Sequence, residues 1–184
     1  MSSPDKLILE LADRMTIQDL IVKYARARDT TDPDLYRQIF AEDAVIAVED
    51  EAVTALTGTN VISKNLEEIL AKAATDQIRF NTGKQPGRTS YAIMRHEVCN
   101  VTVTISGDSA RSDYYIDTLA YNESEKRPEI ITTVRAEDEY RRDNGRWWIT
   151  RSTLIAGWFH EEMRKNLKIG HNTPPEYLRK ARPA

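Results

Sequence analysis

From Met15 onward the apolar residues Ile17, Leu20, Ile21, Tyr24 and Ala25 recur mostly at three- and four-residue spacing, as on one buried helical face, and Leu7, Leu9 and Leu11 extend the run upstream. Ser3-Pro4 supplies a capping residue and a first-turn proline, so a long first helix is predicted from there to the neighbourhood of Asp29. Asp32-Pro33 repeats the start signal, and Leu35, Tyr36, Ile39 and Phe40 form the apolar face of a second helix. Residues 43–56 suit a short strand and loop. A third helical stretch is predicted after Gly58, with Val61, Ile62, Leu66, Ile69, Leu70 and Ala73 at helical spacing. Residues 81–90 read as a turn-rich loop.

At Tyr91 the texture changes to that of strands. Runs at 91–105, 109–121, 128–142 and 146–159 are punctuated by Ser106-Gly107-Asp108 and by Asp143-Asn144-Gly145. Asn-Gly between two such runs is a strong hairpin signal, because both residues tolerate the positive φ of the turn. Helices first and consecutive antiparallel strands afterwards predict an α+β fold with the helices on one face of a curved sheet. No repeat or linker divides the chain, so a single domain over 1–184 is expected. Its last part, 157–184, forms a basic, proline-bearing extension expected to lie over the surface or a neighbouring subunit.

A chain of 184 residues is long enough to bury a core without disulfides or metals. The net charge of −3, with Lys and Arg scattered along the chain, creates no field for polyanions, so neither nucleic acid nor an anionic membrane is an expected partner. Cys99 is the only cysteine and fits a reducing compartment. The acidic, polar N-terminus has no continuous apolar core of a signal peptide, and no apolar run approaches the roughly 20 residues of a membrane span. A cytoplasmic location is expected.

Glycine-rich phosphate loops and the G-x-S-x-G elbow are absent, and His160-Glu161-Glu162-Met163-Arg164 lacks the second histidine of a zinc motif. No metal, nucleotide or other cofactor is therefore expected. Of the three histidines, His160 and His171 fall in or beside the basic tail and read as solvated surface. His96 sits mid-strand, on the side of Ala92, Met94 and Val98 and away from Arg95 and Glu97. An imidazole among apolar side chains is either a hydrogen-bonded core residue or a poised acid/base.

Asp29 stands at the end of the first helix, where the macrodipole disfavours an acid. It is not needed to cap the second helix, since Asp32 serves there. It is either a solvated or Asx-turn carboxylate, or one that the fold carries over the sheet to His96. Tyr24 is a core aromatic or a third site residue. At about 100° per residue it shares no helical face with Asp29, so both could line one cavity only if the helix loosens or ends first. Tyr114, Arg135 and Arg151 lie inside strands and, with Met94, are the candidates for lining a binding site, although strand arginines are more often solvated on an outer face. Trp147 and Trp148 point to opposite faces.

The order YARARD, DPDLYRQIFAEDAVI, RHEVCNVTVTISGDSARSDYY and DEYRRDNGRWWITRSTL resembles the SnoaL-like branch of the NTF2-like superfamily, over about residues 8–156. The resemblance implies a cone-shaped α+β barrel, three helices on a strongly curved antiparallel sheet around an apolar pocket. It also implies an aspartate–histidine pair, here Asp29 and His96, with a tyrosine five residues earlier, here Tyr24, as in bile-acid dehydratases. The second pocket histidine of scytalone dehydratase has no clear counterpart. The activity implied is that of a lyase or isomerase for a hydrophobic polycyclic carbonyl compound (a steroid, bile acid or polyketide), working without cofactor as a homodimer or homotrimer. Two rivals share the fold: a non-catalytic small-molecule binding module, and the small subunit of a ring-hydroxylating dioxygenase, which needs a large partner.

Overall fold

Helix α1 (Pro4–Thr30) starts at the predicted proline and buries Ile17, Leu20, Ile21, Tyr24, Ala25 and Ala27. The computed structural model describes residues 4–49, 60–81, 91–122 and 125–159. The predicted loop segments 50–56 and 82–90 lie outside them, as do His160, His171 and the rest of the C-terminal extension beyond Phe159. α1 ends because Thr31 turns left-handed at φ 50°, and the Asp32 N–H donates back to the Ala27 carbonyl at 3.3 Å, a closure that satisfies an otherwise orphaned carbonyl. On its outer side Leu7, Ile8, Leu11, Met15 and Val22 form an exposed apolar stripe.

Helix α2 (Pro33–Ile39) comes directly after, with the Asp32 carboxylate accepting from the Asp34 N–H at 2.9 Å as the sequence predicts. Phe40 does not belong to that helix; it opens strand β1 (Phe40–Glu49). The predicted third helix is likewise shorter at its start. Val61–Ser63 form strand β2, paired with β1, and helix α3 spans Leu66–Asn81. Its start is fixed by a reciprocal cap: Asn65 Oδ1 accepts from the Glu68 N–H at 2.9 Å, and the Glu68 carboxylate accepts from the Lys64 N–H at 2.8 Å. One orphan donor of the first turn, the Glu68 N–H, and the Lys64 N–H just before the cap are thereby satisfied, and Val61 and Ile62, both β-branched, are released to the sheet.

Four long strands follow among the described residues: β3 (Tyr91–Ser106), β4 (Ser109–Asn122), β5 (Arg127–Asp143) and β6 (Arg146–Phe159). With β1 and β2 they form one six-stranded sheet in the order β2-β1-β6-β5-β4-β3. The turns fall at Gly107 (φ 61°) and at Asn144-Gly145 (φ 51° and 78°), as the turn residues predict. All neighbours are antiparallel except β1 and β6, which run parallel because the last strand inserts between β1 and β5. Register shifts interrupt the β3–β4, β4–β5 and β5–β6 ladders, and such bulges add bend and twist. The cone is thus a curved, unclosed sheet with helices on its inner face.

α1 is fastened to the far end of the sheet through Asp13. Its carboxylate accepts from Trp147 Nε1 at 2.8 Å and from Arg142 Nη1 at 3.0 Å, while the Arg142 guanidinium lies 4.7 Å from the Trp147 ring centre. Trp147 is fully buried there; Trp148 instead stacks under the Arg146 guanidinium at 3.9 Å. Among the described residues no helix is long and apolar enough to cross a membrane.

Candidate functional site

The closing turn of α1 holds Asp29 over the sheet, where β3 presents His96. Asp29 Oδ1 lies 2.7 Å from His96 Nδ1 and accepts from the His96 backbone N–H at 2.8 Å. The imidazole side chain is only 6% exposed, against 23% for the carboxylate. Two contacts from one oxygen fix both the strand position and the ring orientation. Partial burial raises the Asp29 pKa above the usual carboxylate value, opposed by the His96 N–H and by the nearby Arg28, Arg95 and Arg26 charges. With the carboxylate ionised, Nδ1 carries the proton and donates it, so Nε2 is the basic nitrogen. Such a pair can act as a general base at neutral pH. Arg95 and Glu97 pair with each other on the exposed face, as alternation predicts. Among the described residues no group of His, Cys, Asp and Glu is arranged to hold a metal ion.

Tyr24 is placed differently from the expectation. The helix does not loosen before Asp29 but continues regularly to Thr30, so the two side chains leave it on different sides. The Tyr24 ring packs edge-on against Phe40 (centroids 5.1 Å apart) and Tyr36 (6.2 Å), and its environment includes Ser152 and Asp138 rather than Asp29. Burial raises its pKa, which keeps the phenol a hydrogen-bond donor.

Around Asp138 lies a buried polar cluster that the sequence pattern did not single out. Asp138 is 1% exposed, and its Oδ2 accepts from the Tyr114 hydroxyl at 2.7 Å and the Tyr140 hydroxyl at 3.2 Å. Tyr140 also shares a 2.8 Å hydrogen bond with Ser112. Ser152 neighbours Asp138 and Tyr24 closely enough to lower the pKa of each, yet its Oγ is in hydrogen-bond geometry with neither. Arg28, one turn beyond Tyr24 on the same helical face, points its guanidinium inward, 5.9 Å from the Tyr24 ring centre. A signal existed: Ala136, Asp138 and Tyr140 share one strand face, so an acid with apolar or aromatic residues two positions to either side is an acid in the core.

Desolvation pushes Asp138 up to about 6, against the hydrogen bonds it accepts and the Arg28 charge. The native state therefore binds this proton more readily than the unfolded chain. Its stabilising contribution is complete below the ordinary carboxylate pKa and is lost as pH rises through about 6. Urea unfolding should show wild type gaining about 2 kcal/mol relative to Asp138→Asn between about pH 7 and about pH 4. A pH-independent difference would contradict the burial argument.

The other candidates separate. Tyr114 is on the inner face but is fully buried within this cluster. Met94 pairs with Ala120 in the ladder, and its side chain lies outside what the structure describes. Arg135 and Arg151 do not join the site. Alternation with buried Ala136, Asp138 and Ser152 sends both to the outer face, where Arg135 binds Asp113 through Nε at 2.9 and 3.0 Å. Arg151 lines a depression of about 370 Å³ with Glu137, Glu139 and Thr153.

A model of the SnoaL-like domain matches residues 9–153. Among curated proteins none matches the chain significantly. An NTF2-like protein with a cystatin-like fold from Novosphingobium aromaticivorans superposes with a TM-score of 0.64 at 19% identity, covering 91% of this chain and 98% of its own. Hexachlorocyclohexane dehydrochlorinase LinA-type3 from Novosphingobium barchaimii gives 0.61 at 19% identity, with 90% and 97% covered. A protein provisionally assigned as an aromatic ring hydroxylase, also from N. aromaticivorans, gives 0.57 at 24% identity, with 85% and 97% covered. At these identities the likeness is one of fold.

Proposed function

The chain belongs to the SnoaL-like family, and from that premise we propose that it is a lyase or isomerase in which His96, held by Asp29, removes a proton from carbon. The observation that carries this reading is the 2.7 Å contact between Asp29 and a nearly enclosed imidazole. The substrate is a hydrophobic, polycyclic carbonyl compound of the steroid, bile-acid or polyketide kind, with the proton taken from the carbon next to the carbonyl or enone. The electron pair left on carbon moves onto the carbonyl oxygen. It then either collects a proton at another carbon, giving isomerisation, or expels a hydroxyl from the adjacent carbon, which takes the proton that His96 removed and leaves as water, giving dehydration.

His96 Nε2 takes the proton because Asp29 holds Nδ1–H. Asp29 stands behind the imidazole, on its Nδ1 side, and need not itself line the cavity; Tyr24, which leaves α1 on another side and is kept protonated by burial, is assigned the hydrogen bond to the developing oxyanion or to the departing hydroxyl. The dehydrochlorinase among the structural neighbours carries an elimination in its name, which supports the lyase class. The exposed stripe of Leu7, Ile8, Leu11, Met15 and Val22 supports the homo-oligomeric state expected of the chain.

The test is proton exchange. A panel of steroid, bile-acid and polyketide enones incubated in deuterated buffer should give at least one member that gains deuterium beside its carbonyl, or loses water, faster with protein than without. If no member reacts, the lyase or isomerase reading loses its support and the two rivals on this fold, a binding module and a dioxygenase small subunit, take its place.

A further inference from the structure

Three polar atoms from three elements converge beneath Tyr24 and do not satisfy one another. Arg28 Nη1 from α1, Asp138 Oδ1 from β5 and Ser152 Oγ from β6 are each shielded from solvent and without a hydrogen-bond partner among the described residues. Asp138 and Ser152 are 1% and 0% exposed. Native structures rarely leave such groups unpaired, and a guanidinium N–H is among the more expensive to strand. The acid is also aimed. Tyr114 and Tyr140 both donate to Oδ2, and Ser112 bonds the Tyr140 hydroxyl, so Oδ1 is left facing the interior in a fixed direction.

We propose that Arg28, Asp138 and Ser152 form a hydroxyl-recognition subsite, in which a substrate alcohol oxygen accepts a hydrogen bond from Arg28 Nη1 while its O–H donates one to Asp138 Oδ1. This rests on the reading of the chain as a lyase or isomerase and adds to it a substrate feature: an alcohol on the hydrophobic body, distinct from the carbon that His96 attacks. The chemistry of the three groups selects it. Arginine only donates, and an ionised carboxylate only accepts. A carbonyl or carboxylate would satisfy Arg28 and confront Asp138 with a lone pair, and an ammonium would do the reverse. A hydroxyl answers both, and Ser152 can donate or accept beside it. Asp138 and Ser152 are cross-strand partners on the inner face of β5 and β6, and the Arg28 guanidinium lies 5.9 Å from the ring centre of Tyr24, whose surroundings include both of them.

Matched pairs test this by calorimetric titration at about pH 7: testosterone against androst-4-en-3-one, and 6-hydroxy-1-tetralone against 1-tetralone. The hydroxylated member of at least one pair should bind wild type at least about tenfold more tightly, since a site built for a hydroxyl rejects the analogue lacking it. In Arg28→Met and in the milder Ser152→Ala that ratio should fall to within about twofold, with affinity for the deoxy member kept. The ratio should survive His96→Ala. A preference for hydroxyl without any proton exchange would keep the subsite and remove the lyase reading; exchange without the preference would do the opposite. Equal affinities in wild type, no binding by any member, or a ratio unchanged in both Arg28→Met and Ser152→Ala would overturn the subsite.

Discussion

His96→Ala is expected to slow proton exchange by about 10²–10⁴-fold, the usual weight of one general acid–base group, while leaving a cooperative unfolding transition. The imidazole touches Asp29 through Nδ1, and the main-chain contact from the His96 N–H to the same carboxylate survives the substitution. Local geometry is therefore kept while the base is lost. Asp29→Asn should fall in the same range for a different reason. An amide can still accept from the backbone N–H, but it no longer enforces the tautomer or stabilises the imidazolium. Because the Asp29 pKa is raised, wild-type rate should decline as pH falls through that raised value, and Asp29→Asn should lack this component of the acid limb. Deuterium incorporation read by mass spectrometry across pH decides it. Wild-type rates in His96→Ala would exclude the imidazole as base.

The largest expected loss of stability is at Trp147. Truncation to alanine should cost about 3–5 kcal/mol, the range for emptying a large aromatic site in a packed core. Trp147 is 2% exposed, donates to Asp13 at 2.8 Å and lies under the Arg142 guanidinium, so the change also disturbs the clasp between α1 and the β5–β6 hairpin. Trp147→Phe separates the contributions: it keeps most of the volume and removes the N–H, and should cost about 1.5–3 kcal/mol, as for other hydrogen bonds to a charged group. Denaturant midpoints at constant m-value measure both. A cost for Trp147→Ala below that for Trp147→Phe would mean that the ring is not a core element.

Asp29 and His96 were legible because each broke a local rule in a segment of plain periodicity. One is an acid where a helix prefers a cation, and the other an imidazole in an apolar register. Asp32-Pro33 and Asn144-Gly145 were legible because their signals are local. The start of the third helix was not legible, because Val61 and Ile62 fit helical spacing as well as a strand. The capping contacts of Asn65 and Glu68 decided between them. Arg135 and Arg151 were ambiguous for a related reason. Alternation assigns faces only within an uninterrupted ladder, and the shift between Glu139 and Tyr140 places both Ile149 and Ser152 inward, with Arg151 turned out. The inward Arg28 needed its relation to Tyr24 and Ile21 on the helix to be weighed against its charge.

The insertion of β6 between β1 and β5 bears on how the molecule comes into being at the ribosome. Until Arg146–Phe159 has emerged, β1 has among the described strands only the three-residue β2 beside it, and the β3–β5 meander presents an unfinished border. The site's own contact, from α1 to β3, joins elements made earlier. A nascent chain can therefore assemble its Asp29–His96 pair before the strand that unites the sheet exists, and premature release before Arg146 would expose two sticky strand borders at once.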